Sequence, residues 1–192
     1  KEKAEITRLL LALSDKAREN LRGLKEANRS LAWLDSLHAR AVYANITNST
    51  RVVFTDDGTL SLKRARHPLL EGECVPMSID VSEKERVIVL SGANSGGKTV
   101  TLKTVGLCAL MARCGYHVLA EEGTKVPFFK RIFVDIGDQQ SIVEHLSSFS
   151  SHAKSVAKIM ARTKRGDLVL LDELMSGTDP EEGAALAEAV VE

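Results

Sequence analysis

The stretch Ser91-Gly-Ala-Asn-Ser-Gly-Gly-Lys-Thr-Val100 directly follows the apolar run Val-Ile-Val-Leu at 87–90. Its residues 92–99 fit the pattern of Gly, four residues, Gly, Lys, then Ser or Thr, which is the signature of a phosphate-binding loop. Glycines let the backbone take positive φ and approach a ligand closely, so that successive N–H groups can point into one concavity. We expect a strand over 86–90 before this loop and a helix over 98–114 after it. The sequence therefore predicts a nucleotide-binding strand–loop–helix unit.

Each residue of the loop and the first residue after it is a candidate nucleotide contact. Lys98 would reach the β- and γ-phosphates as a point charge, and Thr99 would hold Mg²⁺ through its hydroxyl. The start of the following helix would add the positive end of its dipole. The candidate contacts are Gly92, Ala93, Asn94, Ser95, Gly96, Gly97, Lys98, Thr99 and Val100. The chain contains no Asn-Lys-x-Asp sequence, which argues against a GTPase that reads guanine.

Composition indicates a globular protein of one or two domains. The 192 residues carry a formal net charge of zero, so any affinity for nucleic acid must come from a local patch or from regions outside this chain. The three cysteines show no Cys-x-x-Cys spacing, which favours buried thiols in a reducing cytoplasm. No apolar run is long enough to span a membrane, and we expect no membrane association.

Residues 1–44 predict one long amphipathic, coiled-coil-like helix. Its apolar positions recur every three or four residues: Ile6, Leu10, Leu13, Ala17, Leu24, Ala27, Leu31, Leu34 and Ala41. A narrow apolar seam is not stable alone, so this helix needs a partner from outside the sequence or from a second chain. We therefore expect a lever helix over 1–44 and a nucleotide-binding domain over 45–192, cut from a longer protein.

The remaining segments alternate between strand and helix patterns. A hairpin is expected from residues 51–55 and 59–62, because they flank Asp56-Asp57-Gly58. Further strands are expected at 77–81, 131–136 and 168–171, and further helices at 148–163 and after Pro180. Such alternation predicts an α/β fold with a mainly parallel sheet.

Two acids, Asp172 and Glu173, follow the apolar strand 168–171. Ligands of open α/β sheets bind at the carboxyl ends of the strands. The Asp at this position of phosphate-loop enzymes helps to hold Mg²⁺, and an adjacent Glu can deprotonate the attacking water. Ser147 and Ser148 open a helix between the two motifs. They are either helix caps or a second anion site.

Four blocks of this sequence together resemble the MutS family of ATPases. They are RARHPLL at 64–70, GANSGGKTVTLKTVGL at 92–107, DIGDQQSIVEHLSSFSSH at 135–152 and LVLLDELMSGTDPEEGAALA at 168–187. The resemblance is strongest over 64–192, and it favours the branch that lacks the mismatch-reading domain and often carries a C-terminal Smr nuclease domain. It implies a phosphate-loop NTPase of the ABC-like type, working as a homodimer with ATP and Mg²⁺ at the interface.

The resemblance also implies roles for individual residues. Asp172 and Thr99 match the metal-associated residues, whereas Glu173 and Lys98 match the catalytic ones. Ser147 and Ser148 match residues that contact the γ-phosphate bound by the other protomer. His67 matches a motif residue near the nucleotide, although its spacing alone is more typical of a packed turn residue. Met175 stands where the family commonly has Gly or Ala, and its bulk is expected to disturb the loop beside Glu173.

These features predict Mg²⁺-dependent ATP hydrolysis that drives a conformational change on DNA, such as branched DNA, or on stalled ribosomes and their RNA. One alternative is another ABC-like ATPase of the chromosome-maintenance kind, although Leu146-Ser-Ser-Phe149 lacks the Gly-Gly signature of those proteins. A second alternative is a nucleotide-gated scaffold with little turnover. His38, His117, His145 and His152 show no metal spacing and are expected to be structural or surface residues.

Overall fold

The structure is a computed structural model, and it describes residues 2–70, 72, 74–93, 96–136, 145–175 and 177–191. For residues 145–148 the description covers the backbone. The chain forms two compact units, residues 1–45 and 46–192, each of which is described by itself. No helix within the described ranges is long and apolar enough to cross a membrane.

The N-terminal segment forms two helices, α1 (Glu2–Glu19) and α2 (Leu21–Thr47), rather than the single helix expected over 1–44. The interruption lies at Asn20, whose Nδ2 donates a hydrogen bond to the carbonyl of Lys16 at 2.9 Å. Such a local bond from an Asn side chain competes with helix continuation. No described residue of either helix is buried, and the side chains of the predicted apolar seam are exposed.

The second unit contains a four-stranded mixed sheet. Its strands are β1 (Val53–Thr55), β2 (Leu60–Ala65), β3 (Met77–Val81) and β4 (Lys125–Pro127), in the spatial order β1-β4-β2-β3. β1 pairs with β4 in parallel, and β2 pairs antiparallel with both β3 and β4.

The expected hairpin is wrong, because β4 lies between β1 and β2. The connection is ordered locally, with Thr59 N donating to Asp57 Oδ1 at 2.9 Å and Thr55 Oγ1 donating to Thr59 O at 2.7 Å. A turn of this kind reverses the chain without requiring the flanking strands to pair. β4, which is distant in sequence, occupies the position between β1 and β2, and its Val126 is buried there with 1% of its surface exposed.

A separate two-stranded parallel sheet consists of β5 (Ile132–Asp135) and β6 (Leu168–Leu171), with Asp135 opposite Leu171. Three helices belong to the same unit: α3 (Lys98–Arg113), α4 (His145–Arg162) and α5 (Pro180–Val191). The α/β class is confirmed. The prediction of a mainly parallel sheet is confirmed only in part, since the described ladders comprise two parallel and two antiparallel pairs.

The strand expected over 86–90 does not form. The physical reason is that a strand needs a paired neighbour, and the described residues supply none for this segment. Its side chains are correspondingly open to solvent, with Val89 74% exposed and Val87 50% exposed.

The core of the second unit packs α3 against strands of both sheets. Leu62, Val118 and Val126 are almost fully buried, together with Cys108 on the inner face of α3. Burial raises the pKa of the Cys108 thiol to about 12, so this cysteine is an inert, apolar core residue. Close packing of α3 on β6 requires a small side chain at their point of contact.

Gly106 of α3 marks that close approach. A Cβ atom at this position would lie 2.8 Å from Cδ1 of Leu170, which is 5% exposed and has little room to move. The contact fixes α3 against β6, and α3 begins at Lys98 whereas β6 ends one residue before Asp172. Gly106 therefore sets the distance between the two sequence motifs.

Replacing Gly106 with Val should lower the free energy of unfolding by about 1–3 kcal/mol, because a branched side chain would overpack the α3–β6 contact. The measurement is urea denaturation followed by circular dichroism. Gly23→Val is the matched control, because nothing lies within 4 Å of that helical glycine. Equal stability of the two variants would contradict the assigned packing.

Candidate functional site

The glycine-rich loop leads directly into α3, as the motif requires. Gly92 has φ 146° and Gly97 has φ 75°, both of which are backbone conformations that residues with a Cβ rarely adopt. Gly96 N donates to Ala93 O at 2.9 Å, and Thr101 N donates to Gly97 O at 2.8 Å as the first bond of the helix. The loop backbone is therefore shaped by its glycines up to the first residue of α3. Asn94 and Ser95 lie outside the described residues.

Lys98 turns back over this loop. Its Nζ donates hydrogen bonds to the carbonyls of Gly92 at 2.5 Å and Ala93 at 2.9 Å. The ammonium group thus lies against the first two carbonyls of the loop, and Lys98 itself is the first residue of α3. A positive charge in that position, together with the helix N-terminus, makes this an environment suited to anions.

Thr99 and Asp172 are brought together across 73 residues of sequence. Thr99 Oγ1 donates to Asp172 Oδ2 at 2.6 Å, and both side chains are partly buried. The second oxygen of Asp172, Oδ1, accepts from the backbone N–H of Glu173 at 3.1 Å. The hydrogen bond from Thr99 to Asp172 joins the two motifs that were recognised separately in the sequence.

A hydroxyl beside a carboxylate is a hard oxygen pair of the kind that Mg²⁺ prefers. Within the described ranges no cluster of three His, Cys, Asp or Glu residues could hold a metal ion by itself. That is compatible with Mg²⁺, which is usually bound through one or two carboxylates together with substrate phosphates and water. The residues present therefore fit such an ion better than a metal that needs a cage of protein ligands.

Glu173 lies in a strained loop. Its φ is 47°, and Met175 two residues later has φ 56°, although neither residue is a glycine. The side chain of Glu173 is exposed, whereas Met175 is 7% exposed. The carbonyl of Met175 lies 2.9 Å from where a Cβ on Gly183 of α5 would stand, so that glycine permits the loop to pack. The bulk of Met175, which was expected to disturb the loop, is accommodated in the interior.

His67 occupies a turn and is held by a local bond. Its Nδ1 accepts from the backbone N–H of Leu69 at 3.2 Å. Burial, with the positive charge of Lys103 on α3 as a smaller cause, holds the pKa of His67 below its ordinary value. The imidazole is therefore biased toward its neutral form beside α3. Its proximity to a nucleotide stays a prediction.

The other candidates from the sequence fall at helix starts. Val100 is in the first turn of α3 and is 38% exposed. The backbone of Ser147 and Ser148 is in the first turn of α4, and their side chains lie outside the description. Arg64, the first residue of the RARHPLL block, pairs with Glu121 at 2.8 Å.

His152 was missed as a site residue, because nothing in its spacing distinguishes it from the other histidines. Its side chain is only 12% exposed and stands between two elements of the site. On one side its Nδ1 is 3.0 Å from Oδ2 of Asp135, the last residue of β5. On the other side its Nε2 accepts from the backbone N–H of Met175 at 3.4 Å. The only signal in the sequence was its place at the end of the SSFSSH block.

Comparison with known proteins gives a family for this arrangement. Residues 88–192, which include the loop and both acids, match the family model described as MutS domain V. The chain belongs to the MutS family. The resemblance seen in the sequence blocks is thereby confirmed.

Its relatives are of the MutS2 type. An endonuclease MutS2 from Clostridium botulinum (Type A) is 45% identical over 194 residues, which cover 100% of this chain and 24% of the relative. A putative endonuclease MutS2 from Bacillus subtilis is 45% identical over 193 residues, which cover 100% of this chain and 25% of the relative. This MutS-family chain thus spans about a quarter of the length of these relatives. The similarity includes α1 and α2, beyond the 64–192 region where the resemblance was strongest.

Proposed function

We propose that this chain is the ATP-binding and ATP-hydrolysing part of a MutS2-like protein that processes nucleic acid. The observation that carries the proposal is the 2.6 Å hydrogen bond from Thr99 to Asp172. It joins the start of the helix after a phosphate-binding loop to the acids that follow β6. The membership of the MutS family supports the same function.

In this proposal the loop residues hold the phosphates through backbone N–H groups. Lys98 Nζ exchanges its bonds to the carbonyls of Gly92 and Ala93 for bonds to phosphate oxygens, because a charged partner gives the stronger hydrogen bond. Thr99 and Asp172 supply oxygens to Mg²⁺, which offsets the negative charge of the phosphates when it is bound.

Glu173 would act as the general base. It directly follows Asp172, and its exposed carboxylate is free of the Thr99–Asp172 bond. The carboxylate would accept a proton from water as the water oxygen bonds to the γ-phosphorus and the bond from that phosphorus to the β–γ bridging oxygen breaks. ADP and phosphate are the products.

The partners proposed for the whole protein are a second copy of the chain and a nucleic acid, either DNA or ribosomal RNA. Relatives carry the name endonuclease, which supports a nucleic-acid target. The exposed apolar seam of α1 and α2 suits a lever element that needs a companion helix. A cytoplasmic location belongs to the same proposal.

A nucleotide-gated scaffold with little turnover is the second candidate. The exposure of Glu173 favours it, since a base open to solvent is not held against a substrate by this chain alone. The match to MutS domain V favours the MutS reading over the chromosome-maintenance alternative.

Lys98→Ala should weaken ATP binding by ~2–4 kcal/mol, the scale of a charged hydrogen-bonding group removed from its phosphate partners. Isothermal titration calorimetry with ATP and Mg²⁺ measures the change. Lys158→Ala, at an exposed position of α4, is the control and should bind normally. Unchanged ATP affinity in Lys98→Ala would contradict the assignment of residues 92–99 as a phosphate-binding loop.

Glu173→Gln should bind ATP and Mg²⁺ normally and hydrolyse ATP roughly 10²-fold more slowly or worse, because the amide cannot accept the proton of water. Single-turnover hydrolysis and calorimetry are measured on the same preparation. Glu188→Gln, at an exposed position of α5, is the matched control. A parallel loss of binding and turnover in Glu173→Gln would make Glu173 a structural residue instead.

Hydrolysis should require two chains, because Ser147 and Ser148 are proposed to contact the nucleotide of the other protomer. The rate per protomer is expected to rise with protein concentration. Lys98→Ala and Ser148→Arg proteins, each inactive alone, should regain at most one working site per heterodimer when mixed. Full activity of demonstrably monomeric protein would contradict the shared site and leave the serines as helix caps.

A further inference from the structure

Asp135 contacts one end of the loop that carries Glu173 directly and reaches the other end through His152. Its backbone carbonyl accepts from Asp172 N at 3.0 Å, immediately before Glu173. Its side-chain Oδ2 faces His152 Nδ1 at 3.0 Å, and His152 Nε2 accepts from Met175 N at 3.4 Å, two residues after Glu173. The end of β5 therefore holds the loop on both sides of Glu173, once directly and once through His152.

The contacts of His152 define its tautomer. Because Nε2 accepts a hydrogen bond from a backbone N–H, it carries no proton, and the neutral ring has its proton on Nδ1. That proton faces the carboxylate of Asp135. Oδ2 of Asp135 is buried and has no hydrogen-bond partner within the described ranges. His152 Nδ1 lies 3.0 Å away, at ion-pair distance, so its N–H is a donor within reach of this oxygen. A carboxylate that faces Nδ1 keeps the proton on that nitrogen and leaves Nε2 free to accept the hydrogen bond from Met175 N.

The loop needs such a restraint. Glu173 and Met175 both have left-handed φ values, which residues other than glycine adopt only when their surroundings hold them there. Met175 is fixed by the burial of its side chain and by its N–H bond to His152. Glu173 has an exposed side chain, so its direction depends on the backbone on either side of it.

We infer that His152 is a positioning residue that aims Glu173, by holding Met175 in its left-handed conformation while Asp135 orients the imidazole. The inference rests on the proposed role of Glu173 in hydrolysis. His152 touches neither nucleotide nor metal in this role. It acts through the backbone of Met175.

The position of His152 on α4 gives the restraint a second consequence. His152 lies four residues, or about one helical turn, after Ser148, which is proposed to contact the nucleotide of the other protomer. A helix moves as a unit over so short a distance. A shift of α4 on contact with the partner protomer would therefore reach Met175 and redirect Glu173 in the same movement.

The first test compares His152→Ala and His152→Gln in the longest natural polypeptide that carries this chain. Gln can accept from Met175 N through its amide oxygen and donate to Asp135 through its amide nitrogen, whereas Ala can do neither. Single-turnover hydrolysis should fall about tenfold or more in His152→Ala, because a small misplacement of a catalytic group has a large kinetic effect. His152→Gln should stay within about threefold of the unmodified protein, and ATP affinity should be unchanged in both. His38→Ala is the matched control.

The second test asks whether the effect passes through the backbone of residue 175. Glycine adopts left-handed φ without strain, so Met175→Gly should remove the need for His152. His152→Ala should therefore have little effect, within about threefold, in the Met175→Gly background. The Met175→Ala background loses the same side chain but keeps Cβ. In that background His152→Ala should still lower the single-turnover rate roughly tenfold. Equal losses in both backgrounds would overturn the inference.

A third measurement does not depend on hydrolysis. Hydrogen–deuterium exchange of peptides covering 172–178, in protein without nucleotide, should be faster in His152→Ala than in His152→Gln or the unmodified protein. If the unmodified protein does not hydrolyse ATP, the proposed function fails, and this exchange still reports whether His152 holds Met175. If Glu173→Gln is slow while His152→Ala is as fast as the unmodified protein, the positioning role fails and the proposed function stands.

Discussion

The hydrogen bond between Thr99 and Asp172 depends on how closely α3 can approach β6. Gly106 permits that approach by leaving Leu170 in place, and the ends of the two elements then bring a hydroxyl and a carboxylate within 2.6 Å. A larger residue at 106 would separate the phosphate-binding loop from the acids without altering either motif. A contact in the core, remote from any ligand, therefore sets the geometry of the candidate site.

The loop after β6 illustrates how strain is held in place. Two residues with a Cβ adopt left-handed φ within three positions, and the structure restrains them from several directions. Gly183 of α5 gives space to the Met175 carbonyl, and Asp135 and His152 contact the loop from β5 and α4. Elements far apart in sequence thus converge on the backbone around one exposed carboxylate, which is what a precisely directed group requires.

Local chemistry predicted much of this protein, and the reason is visible in particular elements. The boundaries of β6 at 168–171 and β3 at 77–81 agree with the sequence pattern, because an apolar or alternating run between breakers is a local property. The loop conformation at Gly97 likewise follows from its own glycine. The pairing of strands could not be predicted in the same way. β1 and β2 are close in sequence, yet β4 lies between them, with its Val126 buried. The interruption at Asn20 depended on a side-chain bond that apolar periodicity does not encode.

The sequence by itself determined the α/β class, the glycine-rich loop with Lys98 and Thr99, the acidic pair at 172 and 173, and the MutS family, because each rests on patterns that can be read along the chain without knowing which segments meet. Only the tertiary structure decided that Thr99 meets Asp172, that β4 separates β1 from β2, and that His152 stands between Asp135 and Met175. These contacts join residues from 17 to 73 positions apart, counted from Asp135 to His152 and from Thr99 to Asp172. Their formation depends on which apolar surfaces are buried together, and no local pattern of side chains specifies that.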